Sequence, residues 1–347
     1  MTTLRDLGEQ ALLAHLQRFS PRELTGDDAA VVKSPHPDDL VISTDMLVDG
    51  VHFSEQTTTA VDVGWRGAAA NLSDLAAMGA MPLGMAIALG LPGETPLEWV
   101  LGLYEGITAC LKPWGTPIVG GDVCQAPVKT ISITVFGHVP PVNAMYRSGA
   151  QAGDWLMATG IHGAARAGLE CLLQPDQAQT LDPDRRQAWQ RAHQRPDPRL
   201  DLVPSLQKLN SRLTGMDSSD GLADAVLQIC RASGVGTELW TEHLPVPAGL
   251  GDWVGSATAI AWTLYGGEDF ELILALPPPI AQQWLTVVQE QLALPTHHCP
   301  RQIGVITANP DVRLFQGGKV VNVLDLNQGF QHFAPPPPPS IAVRENH

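Results

Sequence analysis

The sequence predicts an α/β chain in two domains, and three observations carry that expectation. Its 347 residues are enough for two ordinary domains with a substantial core. Short β-branched or aliphatic runs alternate with stretches of helical period along most of the chain. Pro140-Pro141 and the polar Tyr146-Arg147-Ser148-Gly149 interrupt that alternation and mark a boundary. The expected division is a first domain over 1–145, a second over 146–333, and a proline-rich tail over 334–347.

Composition narrows the class. The chain is 44% hydrophobic and 16% charged, which is globular rather than disordered. No apolar run reaches bilayer length and the first ten residues hold no signal-peptide core, so the reading is a soluble cytoplasmic protein. Five cysteines without a C-x-x-C pair suggest neither a disulfide framework nor a zinc ribbon, and His297-His298-Cys299 reads as loop. A formal charge of −15 argues against nucleic acid and anionic membranes as partners. With only Lys33, Lys112, Lys129, Lys208 and Lys319 as lysines, a bound nucleotide would need divalent metal to neutralise its phosphates.

Leucine spacing over 2–19 predicts an amphipathic helix closed by Ser20-Pro21. Gly26-Asp27-Asp28 then turns into a short strand. Leu40 to Ile42 read as a buried strand whose end delivers Ser43, Thr44 and Asp45, all oxygen donors of the kind hard cations prefer. An alanine- and glycine-rich helix over 62–78 is ended by Gly79. Asp74 falls in its last turn, where the helix dipole disfavours a carboxylate by roughly 0.3–1 kcal/mol, which suggests a compensating cation.

A buried strand over 83–91 follows, then Thr95-Pro96-Leu97-Glu98 as a capping box opening a helix to about Lys112. Pro117 to Asp122 repeats the pattern of a strand emptied onto a carboxylate, through Gly120-Gly121, where backbone could approach a phosphate. A strand over 130–139 closes the first half. Arg147 has the fork geometry that pairs with phosphate oxygens.

In the second half, a strand over 155–159 leads to a helix over 164–173. Residues 175–198 read as surface helix and loop with nothing catalytic. A strand over 213–216 delivers Asp217-Ser218-Ser219-Asp220-Gly221 at the start of a helix over 223–233, a place for metal and phosphate together. Gly266-Gly267-Glu268-Asp269 precedes a strand over 270–276. A helix over 280–292 and strands near 303–307 and 320–323 complete the pattern.

Taken singly, each acidic turn has an ordinary reading as turn or helix cap. Their repetition at Asp28, Ser43, Thr44, Asp45, Asp74, Asp122, Asp217 and Asp220 favours a nest of several Mg²⁺ ions, since gathered acids otherwise repel. No P-loop, dinucleotide fingerprint or G-x-S-x-G elbow is present. Metal-assisted phosphoryl transfer fits, and these residues alone leave kinase and phosphatase open.

Six segments together resemble the thiamine-monophosphate kinase family: Gly26-Asp-Asp-Ala-Ala-Val31, Ser43-Thr-Asp-Met-Leu-Val-Asp-Gly-Val-His-Phe53, Asn71-Leu-Ser-Asp-Leu-Ala-Ala-Met-Gly-Ala80, Gly120-Gly-Asp122, Asp217-Ser-Ser-Asp-Gly-Leu222 and Gly266-Gly-Glu-Asp-Phe-Glu-Leu272. The resemblance spans about 4–333 and places the chain in the superfamily of aminoimidazole ribonucleotide synthetase. It implies an N-terminal α/β domain whose sheet pairs across a homodimer, a C-terminal mixed α/β domain, and direct transfer from ATP to thiamine monophosphate.

By matching position the resemblance implies Asp28, Ser43, Thr44, Asp45, Asp74, Asp122, Asp217 and Asp220 as magnesium ligands, with Asp45, Asp74, Asp122 and Asp217 carrying the chemistry. Gly121, Asp122, Arg147 and Ser219 would meet ATP, and His52, Glu268 and Phe330 the thiamine substrate. The chain departs from the family at Phe330, where tyrosine or tryptophan is common, and at Ser218, usually aliphatic. The rival readings are a synthetase-like ATP-dependent ligase and a catalytically silent nucleotide-binding homologue. A selenophosphate synthetase would need an early reactive cysteine, whereas the first here is Cys110, and the hydrogenase-maturation relative would need a C-terminal one.

Overall fold

The computed structural model describes residues 15, 17–19, 38–292, 294 and 298–325. The expected opening helix lies almost wholly outside the described residues, as do the Gly26 turn, the tail, Asp28 and Phe330.

Strands β1 (Asp39–Val48), β2 (Met81–Leu91), β3 (Ile118–Gln125) and β4 (Thr130–Val139) form a four-stranded sheet in the order β1-β4-β2-β3. Its inner face carries Leu47, Ile87, Ile131, Ile133 and Val135, buried against helix α1 (Ala60–Ala77). Helix α2 (Leu97–Leu111) packs on α1 at glycines: a Cβ at Gly64 would stand 1.9 Å from the Leu103 carbonyl oxygen, and one at Gly106 equally close to that of Val61. The small residues of α1 thus permit an approach that any side chain would block.

The expected buried strand over 40–42 is corrected on two counts. β1 runs on to Val48, so Ser43, Thr44 and Asp45 lie within the strand and not at its end. Leu40, Ile42 and Met46 are each more than half exposed, because among the described residues β1 is an edge strand and no element covers the outer face of this sheet. The capping box is also absent: Pro96 is the N-cap of α2 with no side-chain cap bond, and the Thr95 hydroxyl is buried without a partner.

β5 (Trp155–Ala158), β6 (Thr214–Asp217), β7 (Gly236–Trp240), β8 (Leu272–Leu276), β9 (Arg301–Thr307), β10 (Val312–Gln316) and β11 (Lys319–Val323) form a second sheet, ordered β11-β10-β7-β9-β5-β8-β6. Only β10 and β7 pair in parallel. Helices α3 (Ala164–Leu173), α4 (Pro175–Ala178), α5 (Pro183–Gln194), α6 (Val203–Gln207), α7 (Leu222–Ser233), α8 (Leu250–Val254), α9 (Ser256–Tyr265) and α10 (Pro278–Gln291) pack around it. Met216, Leu222, Val226, Leu239, Ile273 and Ile306 form a core between sheet and α7. β7, β10, α8 and α9 had no counterpart in the sequence reading. No described helix is long and apolar enough to cross a membrane.

Candidate active site

The alternation of β1 points Ser43 and Asp45 inward beside Leu47, toward α1. The Ser43 hydroxyl donates to Asp74 Oδ2 in the last turn of α1. From the second sheet, β6 ends on Asp217, whose carboxylate accepts from Ser73 Oγ at 2.9 Å and Ser219 Oγ at 3.2 Å. Asp220 follows just before α7, whose N-cap is Gly221 at φ +108°, so neither carboxylate caps that helix.

Electrostatics show that these acids share one environment. Burial, then the charges of Asp74 and Asp220, raise Asp45 to about 6. Burial, then Asp74 and Asp45, raise Asp217 to about 7 against the opposing hydrogen bonds of Ser73 and Ser219. Asp74 is raised by burial, opposed by Ser43 and by the charge of Arg147. Arg147 acts in the same sense on Asp224 of α7, so one guanidinium stands near the acids. Its backbone carbonyl is held by Ser233 Oγ at 3.1 Å.

Other expected ligands stand elsewhere in the single chain. Thr44 points to the outer face, its hydroxyl 2.8 Å from the Ile133 carbonyl and 2.8 Å from Thr134 Oγ1. Cross-strand pairing puts Asp45, Ile133, Ile87 and Gly121 in one row. Gly121 is therefore three strand spacings, about 14 Å, from Asp45. Its neighbour Asp122 lies on the outer face in the row of Ala88, Ser132 and Met46. A Cβ at Gly121 would stand 2.0 Å from the Ile87 carbonyl oxygen, whereas one at Gly120 would meet nothing within 4 Å. Packing within the sheet thus explains Gly121, and Gly120 is the open backbone.

A second cluster adjoins the acids. Ser218 and Glu271 zip two loops together: Ser218 N–H donates to the Glu271 carbonyl at 2.8 Å and Glu271 N–H to Ser218 Oγ at 3.2 Å. That hydroxyl gives the unusual Ser218 a role. Glu268, at φ +60°, donates its N–H to the Ser219 carbonyl at 2.7 Å, and its carboxylate meets Arg66 Nη2 at 2.5 Å. His52 lies in the turn after β1, where its Nδ1 accepts from Val48 N–H at 3.1 Å and its carbonyl from Arg66 Nη2 at 3.3 Å. The imidazole therefore carries its proton on Nε2 when neutral.

Asp269 accepts from Gly163 and Ala165 N–H, at 2.6 and 2.9 Å, at the start of α3, and burial raises it to about 7. Glu271 pairs with buried Arg199 at 2.6 Å. Arg66, Ser73, His193 and Arg199 carry no local signal in the sequence, because the partners that join them to the site, Glu268, Asp217, Arg66 and Glu271 respectively, are 72 to 202 positions away.

Among the described residues no three His, Cys, Asp or Glu side chains form a compact metal cage. The donor set nevertheless fits a hard divalent cation that keeps several waters and leans on one or two carboxylates plus ligand phosphates. Such a cation would relieve the repulsion among Asp45, Asp74 and Asp217.

The family profile "AIR synthase related protein, N-terminal domain" matches residues 26–139. The chain is 48% identical to a thiamine-monophosphate kinase of Synechococcus elongatus, with 95% of this chain and 98% of that protein covered. It superposes on the thiamine-monophosphate kinase of Stenotrophomonas maltophilia with a TM-score of 0.74, at 30% identity over 85% of this chain and 90% of that one. A further match is AaThiL complexed with AMPPCP and TMP, with a TM-score of 0.69, 28% identity, and 92% and 96% covered. Likeness in sequence over nearly the whole length and in the arrangement of both sheets leads to one assignment: the chain belongs to the thiamine-monophosphate kinase family.

Proposed function

We propose that the chain transfers the terminal phosphoryl group of ATP directly to thiamine monophosphate, giving ADP and thiamine diphosphate. The observation that carries the reading is the convergence of Asp45, Asp74, Asp217 and Asp220 with Arg147 beside the loop of Glu268. The relatives' names and the AMPPCP and TMP of AaThiL support it. Bound Mg²⁺ would bridge phosphate oxygens and offset charge developing on the transferred group.

Asp45, Asp74, Asp217, Asp220 and Ser43 are the residues we assign to holding that metal; Asp28, Thr44 and Asp122 are ligands by family position alone, and Thr44 and Asp122 stand on the outer face of the first sheet, away from this cluster. Arg147, Ser219 and Gly121 receive ATP. His52 and Glu268, with Phe330, receive the acceptor, where Glu268 offers an anion to a substrate whose thiazolium is cationic. The acceptor phosphate is already largely ionised at neutral pH, so positioning and charge neutralisation suffice without a dedicated base. We further propose domains over 1–145 and 146–333, and a homodimer formed through the outer face of the first sheet, which no described element covers and where Leu40, Ile42 and Met46 are exposed.

The test is ³¹P NMR of the protein with ATP, Mg²⁺ and thiamine monophosphate, against samples lacking metal or acceptor. Thiamine diphosphate and ADP should appear only in the complete mixture. Free phosphate without a new diphosphate would point instead to a synthetase-like relative, and no change to a silent homologue.

A further inference from the structure

We infer that Arg66 and His193 are positioning residues that hold Glu268 for the acceptor substrate, so that affinity for thiamine monophosphate depends on two side chains that do not touch it. The inference rests on the assignment of Glu268 and His52 to the acceptor.

Glu268 has a conformation that an L-residue does not adopt without support. Its φ is +60°, in the left-handed region, and its side chain is 35% exposed. Oε1 is held by Arg66 Nη2 at 2.5 Å, whereas Oε2 stands 3.6 Å from His193 Nδ1 without a hydrogen bond, so His193 acts on Glu268 through Arg66. A carboxylate so paired to a fixed guanidinium keeps one orientation and presents its remaining acceptor positions outward.

Arg66 is itself fixed. It is 3% exposed, on α1, with Nη1 donating to the His193 carbonyl and lying 3.3 Å from His193 Nδ1. Nη2 serves the His52 carbonyl as well as Glu268. One guanidinium therefore gathers the backbone of His52 and the carboxylate of Glu268, the two described groups assigned to the acceptor. His193 Nδ1 accepts from Arg66, which puts the neutral ring's proton on Nε2, and that atom is buried without a hydrogen-bond partner.

The segment that supplies His193 is built onto α1 residue by residue. Gln194 Nε2 donates to the Thr57 carbonyl at 2.9 Å, Arg195 Nε to Asp62 Oδ1 at 2.6 Å, and Trp65 Nε1 to the Pro196 carbonyl at 2.8 Å. With His193 on Arg66, each of residues 193–196 is tied to α1 or the turn before it. A stretch that reads as surface helix and loop is the back wall of the acceptor pocket.

A purely structural role would weaken the fold and affect both substrates alike, so the test separates the two Michaelis constants. Wild type, Arg66→Lys, Arg66→Gln and His193→Gln would be compared in steady-state turnover, with each substrate varied at saturating levels of the other. The expected result is a KM for thiamine monophosphate raised about tenfold or more, as a weakened charge-assisted contact to the substrate entails, with the KM for ATP changed less than about twofold. Arg66→Lys should recover part of the loss shown by Arg66→Gln. Unchanged constants, or a parallel rise in both, would overturn the inference. Should the Arg66 variants fail to fold, His193→Gln decides by the same criterion. A wild type inactive on thiamine monophosphate would reject the kinase reading itself, before any variant is compared.

Discussion

His162 sits on the turn between β5 and α3, wholly buried, with neither ring nitrogen paired. Burial, then Arg301 and Arg199, lower it to about 3. Above pH 6.5 the ring is neutral folded and unfolded alike. As pH falls below 6.5 the unfolded chain takes up a proton that the fold refuses, so stability drops until about pH 3. His162→Leu removes that titration. Its stability relative to wild type should therefore rise by about 2 kcal/mol between pH 8 and pH 5, in urea melts at each pH. A pH-independent difference would mean that the imidazole titrates normally in the fold. Asp45 bears on turnover instead. Asp45→Asn keeps the volume but removes an anion from the acidic cluster, and should lower kcat/KM by at least about 10²-fold with the circular dichroism unchanged. Turnover equal to wild type would take Asp45 out of the mechanism.

Strand β3 shows how an element can constrain a residue without chemistry. Gly121→Ala drives a methyl into the Ile87 carbonyl of β2 and should cost about 1–3 kcal/mol, whereas Gly120→Ala enters open space and should leave the urea midpoint nearly unmoved. The paired glycines looked equivalent in the sequence; cross-strand register separates them. Period two also separates Thr44 from Ser43 and Asp45, since three adjacent residues of a strand cannot share a face. Helices were the more legible elements: α1 and α7 lie within two residues of their expected spans because small-residue composition and Gly79 and Gly234 mark them locally. β7 and β10 are five-residue strands, too short for a clear period, and the missed local cue to β10 is the Gly317-Gly318 turn, at φ +56° and +77°, that joins it to β11. The acids of the candidate site could be found as local motifs, although Asp45 lies inside β1 and not at the turn its neighbours suggest. Arg66, Ser73 and His193 could not, because each acquires its partners only when distant segments meet.

At the scale of the molecule, the described helices cover the first sheet on one face only. Leu40, Ile42 and Met46 form an apolar row on the other, and Asp122 and Cys124 share that face. Sedimentation at micromolar concentration should give the mass of a dimer. Ile42→Lys, which places a charge in the middle of that row, should shift it toward monomer, and a wild type of monomer mass would contradict the proposed assembly.

The seam along residues 193–196 bears also on how the chain comes apart. Two sheets joined by a flexible linker would melt in separate steps, each with its own enthalpy. Here helix α1 belongs to the core of one sheet and is fastened to a segment threaded between strands of the other, so loosening either half exposes the fasteners of both. Calorimetry should record a single endotherm whose van't Hoff and calorimetric enthalpies agree, and Trp65→Ala together with Arg195→Ala should split it into two.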